Sequence, residues 1–339
     1  MVKKEYSFSS STVAYYFDAD FSLLEKLVDK ERAIIITDEN VAVAQKRNLK
    51  SWKLITIAAG EVHKNQQTVN NIIEQLIKIG ADRKSILIGV GGGVVTDITG
   101  FVAAIYMRGI QFAFVPTTIL AMVDAAIGGK NGVDVGLYKN MIGLIRQPKL
   151  LLYDYSLLKT LPKEEWVNGF AEIIKHACIK DATMFAQLQQ HKINHYRKDI
   201  TALAALVKRN ALLKTKVVQS DEFELGDRKL LNFGHTVGHA IENLYSIPHG
   251  HAVSIGIGVA CQLSSAIFGF KDTDSVTALL KQYGLPPAFD FDKKETIRIL
   301  KSDKKKDNTN ISFILLNRIG KATIHTISFD DLEKMIEAL

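Results

Sequence analysis

Apolar positions in the first 150 residues alternate between short β-branched runs and stretches with helical spacing. Residues 33–37, 54–58 and 86–90 are mostly apolar runs, typical of strands that are buried on both faces. Residues 68–79 carry apolar side chains three and four positions apart, which predicts a helix. A fourth strand is expected at 111–115. This alternation predicts a parallel sheet flanked by helices.

The pattern changes after about residue 158. Helical spacing dominates from 163 to 282, and Pro162 stands where a helix can begin. Two short apolar runs, 311–316 and 322–326, predict a small hairpin before a terminal helix. The predicted fold class is therefore an N-terminal α/β dinucleotide-binding domain with a parallel sheet, followed by a mostly α-helical metal-binding domain. We place these domains at residues 1–157 and 158–339.

Composition restricts the class of protein. Of the 339 residues, 47% are hydrophobic and 23% are charged, which is typical of a globular chain and excludes a disordered or fibrous one. Lys and Arg exceed Asp and Glu by 43 − 36 = 7. This excess suits an anionic ligand, although a basic surface explains it equally well. No basic stripe is interleaved with aromatic residues, so we expect no nucleic-acid partner.

Cysteine usage and apolar length bear on location. Cys178 and Cys261 cannot form a disulfide framework, which favours a reducing compartment. The first residues carry no continuous apolar stretch of the secretory type. Residues 252–270 are uncharged but contain serines, a glutamine and glycines, so a buried helix is expected rather than a membrane span. We expect a cytoplasmic protein without a membrane partner.

A glycine-rich turn is the strongest local signal. GVGGGVVTD, at 89–97, follows a predicted strand and leads into a predicted helix. Glycines at such a position let the backbone approach a pyrophosphate at the helix N-terminus. The spacing is not G-x-G-x-x-G. The alternative is a tight turn between strand and helix with no ligand.

Histidines cluster in the second half. His235 and His239 are four residues apart, so they share one face of a helix and could bind one metal ion. His249 and His251 flank Gly250 where the next helix begins. Four histidines within 17 positions favour a metal site over isolated structural histidines.

A catalytic zinc site needs about three protein ligands, and a carboxylate should complete this set. Glu172, within GFAEIIKH, is the best candidate because it interrupts an apolar helical stretch. Lys175 lies one turn later on the same face. The alternative is a solvent-exposed intrahelical Glu–Lys pair.

A third segment, 123–147, mixes glycines with the cations Lys130 and Lys139. We expect irregular backbone here. Cations on irregular backbone can surround a phosphate or carboxylate. An exposed loop with lysines that only aid solubility is the alternative.

Taken in order, these motifs resemble the 3-dehydroquinate synthase family. The resemblance rests on GGGVVTDITGF, VDAAIGGKNGVD, KNMIG, GFAEIIKH and LNFGHTVGHAIE followed by HG-x-A, and it extends from Gly60 to Asp303. It implies a shikimate-pathway lyase of aromatic amino acid biosynthesis, which cyclises 3-deoxy-D-arabino-heptulosonate 7-phosphate to 3-dehydroquinate and releases phosphate. It also implies a homodimer with one NAD and one Zn²⁺ per subunit, where Co²⁺ could replace zinc.

The reaction implied by the resemblance begins when NAD⁺ takes hydride from the substrate while zinc polarises the hydroxyl. Phosphate elimination, return of the hydride, ring opening and an intramolecular aldol step follow. Because the cofactor is regenerated, the net reaction is not an oxidation.

The resemblance also assigns roles to residues. The implied metal ligands are Glu172, His235 and His251, which moves His239 from the metal to the substrate phosphate. The implied substrate contacts are Asp124, Lys130, Lys139, Asn140, Lys175, Lys214, Arg228, Asn232, His239 and one of Lys304 and Lys305. The implied NAD contacts are Asn40, Glu61, Lys64, Gly92, Gly93, Asp97, Thr117, Thr118, Lys130, Lys139, Leu157, Thr160 and Glu165.

Two arginines have simpler interpretations. By position alone, Arg108 is a helix-end arginine that complements the helix dipole, whereas the resemblance places it on the phosphate of the neighbouring subunit. Arg228 would otherwise be a surface residue, whereas the resemblance assigns it to the substrate carboxylate.

Three other functions remain open at this point. A polyol dehydrogenase of the glycerol-dehydrogenase type would share the architecture and the glycine turn, but would accumulate NADH. Another sugar-phosphate cyclase could make an inosose or a valiolone. A non-catalytic nucleotide-binding module would not need the glutamate and histidines.

Overall fold

The computed structural model describes residues 1–136, 138–302 and 309–338. The chain forms two compact units, and each combines two stretches of sequence. The first unit comprises Met1–Glu165 and Asp199–Phe223. The second comprises Trp166–Lys198 and Glu224–Leu339.

Strands and helices follow in this order. The strands are β1 Val2–Ser7, β2 Thr12–Phe17, β3 Ala33–Asp38, β4 Lys53–Ile57, β5 Ile86–Gly91, β6 Gln111–Pro116, β7 Lys130–Val135, β8 Tyr138–Ile145, β9 Leu150–Leu152, β10 Asn310–Arg318 and β11 Lys321–Ser328. The helices are α1 Leu24–Leu27, α2 Glu39–Ala44, α3 Lys46–Leu49, α4 Gln66–Ile79, α5 Gly93–Ile105, α6 Lys163–Lys180, α7 Ala182–Gln190, α8 Ile193–Lys198, α9 Ile200–Ser220, α10 His235–Tyr245, α11 His249–Phe268, α12 Thr273–Gln282, α13 Lys293–Ser302 and α14 Phe329–Glu337.

A seven-stranded sheet forms the centre of the first unit, in the order β1-β2-β9-β6-β5-β3-β4. The pairs from β2 to β4 are parallel, and β1 pairs with β2 in antiparallel orientation. The four strands predicted from apolar runs are confirmed as β3 to β6. Strand β4 lies on one side of β3 and β5 on the other. In open α/β sheets, ligands bind at the carboxyl ends of the strands where the order reverses in this way.

The apolar runs form strands because both of their faces are covered. Ile35, Ile88 and Ala113, from three adjacent strands, are fully buried in one core. Helix α4 is confirmed, and its buried positions repeat at helical spacing. The Asn65 side chain accepts the Thr68 N–H to cap its start, and Gly80 ends it at φ +77°.

The segment 123–147 is more regular than predicted. A turn of π-helix covers Ala121–Ala125, and β7 and β8 then form an antiparallel hairpin. Gly132 and Gly143 face each other across it, and a Cβ on either would lie within 2.8 Å of a backbone oxygen of the other strand. The expectation of irregular backbone was wrong because these glycines allow close strand pairing.

Helix α9 belongs to the first unit, whereas the sequence boundary at 157/158 assigned it to the helical domain. Lys214 on α9 lies 2.8 Å from an Asp124 carboxylate oxygen, and the Thr215 hydroxyl bonds the Tyr15 hydroxyl at 3.0 Å. Apolar periodicity predicts a helix but does not say which unit the helix packs against.

Apart from α9, the second unit contains the helices expected after residue 163, the β10–β11 hairpin and α14. Helices α10 and α11 pack at backbone contact, because a Cβ on Gly256 would lie 1.8 Å from the Gly234 carbonyl oxygen. Helix α11 confirms the buried helix expected at 252–270. It is long and apolar enough to cross a membrane, but 67% of that window is buried inside the protein, so its composition is weak evidence for a span.

Candidate active site

Three side chains of the second unit converge. Glu172 on α6, His235 at the start of α10 and His249 at the start of α11 each offer a ligand atom, and these atoms lie within 4.8 Å of one another. The Nε2 atoms of His235 and His249 lie 3.5 and 3.4 Å from the same oxygen, Glu172 Oε1. The Glu172 carboxylate is fully buried. One carboxylate and two imidazoles are the donor set of many catalytic zinc sites.

The second nitrogen of each imidazole also has a partner. His235 Nδ1 lies 3.1 Å from the Phe233 carbonyl oxygen, and His249 Nδ1 lies 3.4 Å from Glu242 Oε2. Partners of this kind fix the tautomer and leave Nε2 available to a metal. The residues therefore fit a divalent metal ion.

The surroundings shift the pKa values of His235 and His249 in opposite directions. Burial, reinforced by the ammonium of Lys175, holds the pKa of His235 well below its usual value. Burial also opposes protonation of His249, but hydrogen bonds to the carboxylates of Glu172 and Glu242 outweigh it and raise its pKa to about 10. The two carboxylates thus favour positive charge at this position.

The third ligand predicted from the sequence, His251, is not in this group, and His249 stands in its place. The two histidines are two residues apart on α11, or roughly 200° around the helix, so only one of them can face Glu172. Gly250, which lies between them, is in close contact with α6. Its N–H lies 3.3 Å from Asn168 Oδ1, and a Cβ on Gly250 would lie 2.6 Å from the Asn168 Cα. The first turn of α11 therefore packs closely against α6 at Asn168, which lies one turn before Glu172.

His239 lies beside the group. Its ring centroid is 5.1 Å from that of His235 and 6.3 Å from that of His249. The shared helical face inferred from the spacing is therefore real, but His239 is not one of the three grouped ligands. Its phosphate contact stays a prediction.

Lys175 and Glu172 do form an intrahelical ion pair between Nζ and Oε2. Both side chains are buried, at 2% and 1% exposure, so the solvent-exposed alternative is wrong. A buried pair next to two histidines suits a site rather than a solvated helix face.

The glycine turn lies at the carboxyl end of β5, where the strand order reverses. Gly92 precedes α5 without a side-chain cap. A Cβ on Gly91 would lie 2.5 Å from the Val95 side chain, and one on Gly92 would lie 3.1 Å from Thr118. The buried Thr117 hydroxyl has no hydrogen-bond partner among the described residues. Uncapped helix N–H groups and a buried hydroxyl without a partner fit an anionic dinucleotide.

A charged cluster of the first unit brings together three segments that are distant in sequence. The Nζ of Lys64 lies 2.6 Å from Asp97 Oδ2 and 2.6 Å from Asn140 Oδ1. Lys139 Nζ lies 3.6 Å from Glu61 Oε1. Burial alone would lower the pKa of Lys64, but the carboxylates of Asp97 and Glu61 raise it above its usual value. The five predicted residues therefore form one cluster.

Other predicted substrate residues occupy both units. In the first unit, Lys214 Nζ bonds both the carboxylate and the backbone carbonyl of Asp124, at 2.8 and 2.9 Å. In the second unit, Arg228 is only 2% exposed, so the surface alternative is wrong. Asn232 donates to Glu224 at 2.8 Å.

For the remaining predicted residues, the structure gives the position in the fold or the exposure. Four of them are exposed, namely Asn40, Lys130, Thr160 and Arg108. Glu165 lies near the start of α6, and Leu157 is buried in a 3₁₀ turn. Lys304 and Lys305 fall outside the described residues. The sequence analysis counted His249 in the histidine cluster but assigned the third ligand position to His251, although the HG-x-A motif begins at His249.

The fold and these two groups of residues define a class of α/β proteins with a glycine turn for a dinucleotide and a carboxylate–histidine set for a metal. The family description "3-dehydroquinate synthase N-terminal" matches residues 54–168, and "3-dehydroquinate synthase C-terminal" matches residues 169–306. The chain belongs to the 3-dehydroquinate synthase family.

Individual relatives support this family assignment. The chain is 41% identical to the 3-dehydroquinate synthase of Thermodesulfovibrio yellowstonii over 84% of this chain and 81% of that protein. It is 37% identical to that of Thermoanaerobacter pseudethanolicus over 95% and 94%. A solved 2-epi-5-epi-valiolone synthase from Streptomyces hygroscopicus, with NAD⁺ and Zn²⁺ bound, superposes with a TM-score of 0.87 at 26% identity, covering 100% of this chain and 97% of that one. The polyol-dehydrogenase alternative is not favoured.

Proposed function

We propose that this protein cyclises 3-deoxy-D-arabino-heptulosonate 7-phosphate to 3-dehydroquinate and releases phosphate, as its family name implies. The observation that carries the proposal is the buried group of Glu172, His235 and His249 in a chain of this family. A non-catalytic nucleotide-binding module has no use for a buried carboxylate directed at two imidazoles.

NAD and one divalent ion are the proposed cofactors. Glu172, His235 and His249 would hold the ion, with zinc and cobalt both suited to this donor set. The glycine turn, Thr117 and four residues of the charged cluster in the first unit, namely Glu61, Lys64, Asp97 and Lys139, would hold NAD. When bound, NAD⁺ supplies a reversible hydride acceptor and the ion supplies a Lewis acid for a substrate hydroxyl.

The chain's own charged side chains would bind and orient the substrate. Lys214, held against Asp124, offers a positioned ammonium group in the first unit. Arg228 and Asn232 offer donors in the second unit, and a guanidinium suits a carboxylate because it presents a planar fork. Holding one substrate through several steps requires fixed charges at both of its ends.

The direct test is incubation of the purified protein with the heptulosonate phosphate, NAD⁺ and Zn²⁺. We expect phosphate and the cyclic product to appear in equal amounts. Omission of the heptulosonate phosphate is the control. Phosphate release without a cyclic product, or no reaction with metal and NAD⁺ bound, would refute the proposed function.

We expect catalytic amounts of NAD⁺ to support many turnovers without lasting NADH absorbance at 340 nm, because the hydride is returned to the substrate in each cycle. The measurement compares NADH absorbance with phosphate released in the same sample. NADH that accumulates in proportion to product would instead indicate a dehydrogenase.

We propose that the protein acts as a homodimer in the cytoplasm. Arg108 is exposed and adopts φ +67°, a left-handed conformation beside Met107 at φ +49°. Two adjacent non-glycine residues in this region store backbone strain, which is common at functional sites. In the proposed dimer, Arg108 would reach the phosphate bound by the partner subunit.

Complementation tests the role of Arg108. Heterodimers of one Arg108→Ala subunit and one Glu172→Ala subunit should regain up to about half of the activity of the natural dimer. The reason is that one of the two sites in each heterodimer would contain both intact residues. Each variant alone is the control, and native mass spectrometry verifies subunit exchange. Verified heterodimers that remain inactive would place Arg108 in its own subunit's site.

A further inference from the structure

The β7–β8 hairpin is interrupted at one point. Val133 pairs with Ile142 and Val135 pairs with Tyr138, and the register shifts between these pairs. Across this interval β7 contributes one residue, Asp134, whereas β8 contributes three, 139–141. Extra residues on one strand form a bulge, which re-aims side chains and is frequent next to active sites.

The bulge carries two predicted site residues, Lys139 and Asn140. Asn140 Oδ1 accepts a hydrogen bond from Lys64 Nζ at 2.6 Å, and Lys139 Nζ lies 3.6 Å from Glu61 Oε1. Both side chains therefore reach the turn that begins at Glu61. A regular hairpin would alternate these neighbours between opposite faces of the sheet.

Asp134 holds the bulge from the opposite strand. Its Oδ1 accepts the Asn140 N–H at 2.7 Å, so the carboxylate takes up a backbone donor within the interrupted ladder. Its own N–H donates to the Lys64 carbonyl oxygen at 2.8 Å, and its backbone also forms a bridge to Asn65. One residue thus connects the bulge to the turn that carries Lys64.

The backbone of Asn140 is strained, which gives the hydrogen bond to Asp134 a structural role. Its φ is +52°, in the left-handed region, which costs energy for an L-residue although asparagine tolerates it better than most. Asp134 is half-buried, and burial raises its pKa, whereas the Asn140 N–H and the Lys64 ammonium favour the charged form. An accepted hydrogen bond at this point stabilises the left-handed conformation.

We propose that Asp134 is a positioning residue that holds Lys139 and Asn140 toward Lys64 by accepting the Asn140 N–H. The kinetic part of this proposal rests on the proposed function. Asp134 itself need not touch the substrate or the cofactor.

Two substitutions separate the hydrogen bond from the charge. Asp134→Ala removes the acceptor, and we expect kcat/KM for the heptulosonate phosphate to fall about 10- to 100-fold, because small misplacements of site residues have effects of this size. Asp134→Asn keeps an oxygen at the same position, and we expect it to stay within about threefold of the natural protein, since a neutral acceptor forms a weaker but comparable bond.

Asp82→Ala is the matched control. Asp82 also accepts a backbone N–H, from Lys84 at 2.9 Å, but it lies before the amino end of β5 and far along the strand from the glycine turn. We expect its kcat/KM to be unchanged. Equal impairment of Asp134→Ala and Asp134→Asn, or natural kinetics in Asp134→Ala, would overturn the proposal.

Hydrogen exchange tests the positioning without any activity. In the full-length protein without substrate, we expect Asp134→Ala to exchange faster than the natural protein in peptides covering 138–145, whereas Asp134→Asn and Asp82→Ala should not. Unchanged exchange in Asp134→Ala would also overturn the proposal. A failed cyclase assay with the natural protein would refute the proposed function, but the hydrogen-exchange result would still test the role of Asp134.

Discussion

His249→Ala should lose its bound metal and nearly all of its activity, whereas His251→Ala should keep both. His249 Nε2 faces the buried Glu172 carboxylate, and its other ring nitrogen is held by Glu242. Loss of a residue that merely orients a ligand typically costs about 10- to 100-fold in metal affinity or activity, so loss of the ligand itself should exceed about 100-fold. Metal content after gel filtration and kcat/KM in added Zn²⁺ are the measurements.

The pair of variants is a matched comparison, because both histidines lie in the first turn of α11, only two residues apart. Circular dichroism should show that both fold. Chelator treatment of the natural protein should abolish activity, and Zn²⁺ should restore it, since an ion held by three side chains can be withdrawn and returned. If His251→Ala lost its metal while His249→Ala retained it, the ligand set inferred from the sequence would be correct and the one inferred here wrong.

Arg228→Ala should lower kcat/KM for the heptulosonate phosphate by roughly 2–4 kcal/mol in transition-state terms, as for a severed charged pair. That corresponds to about 30- to 1,000-fold. Arg228 is only 2% exposed, and a carboxylate that is buried without a cationic partner is strongly disfavoured. Steady-state kinetics with the heptulosonate phosphate measure the effect.

Substrate choice supplies the control for Arg228. Glucose 6-phosphate lacks the carboxylate, so it should be a poor substrate for the natural protein, and its weak turnover should change little in the variant. Arg228→Lys keeps the charge but not the fork, and we expect an intermediate loss. This second variant also guards against misfolding caused by truncating a buried side chain. Efficient use of glucose 6-phosphate, or unchanged heptulosonate kinetics in folded Arg228→Ala, would contradict the assignment.

Much of the fold can be predicted from the sequence because the relevant signals are local. Strands β3 to β6 are apolar runs that parallel pairing buries on both faces, and α4 shows its buried face as a periodicity. Strands β1, β2 and β9 were not predicted, and β7 and β8 lie in a segment that was expected to be irregular. Strand β1 is a largely exposed edge strand with charged residues, and β9 spans only Leu150–Leu152. Neither β1 nor β9 carries enough apolar pattern to be distinguished from a loop.

The candidate site, like the fold, can be predicted from the sequence only in part. The residue types of the metal set, the glycine turn and the dispersed lysines are visible in the sequence, and family resemblance assigns most of their roles. Which helix joins which unit is not visible, because the polar contacts of Lys214 and Thr215 on α9 are made with residues about 90 and 200 positions away.

The sequence by itself indicated the family, strands β3 to β6, the helical second half, and a glutamate and several histidines suited to one metal ion. Only the tertiary structure showed that His249 rather than His251 faces Glu172, and that Asp134 accepts a hydrogen bond from the Asn140 N–H. Periodicity describes one element along its own axis. In the structure, the first turn of α11 contacts α6 through Gly250 and Asn168, and a hydrogen bond crosses the hairpin at the bulge in β8. Both are contacts between separate segments, which no local pattern encodes.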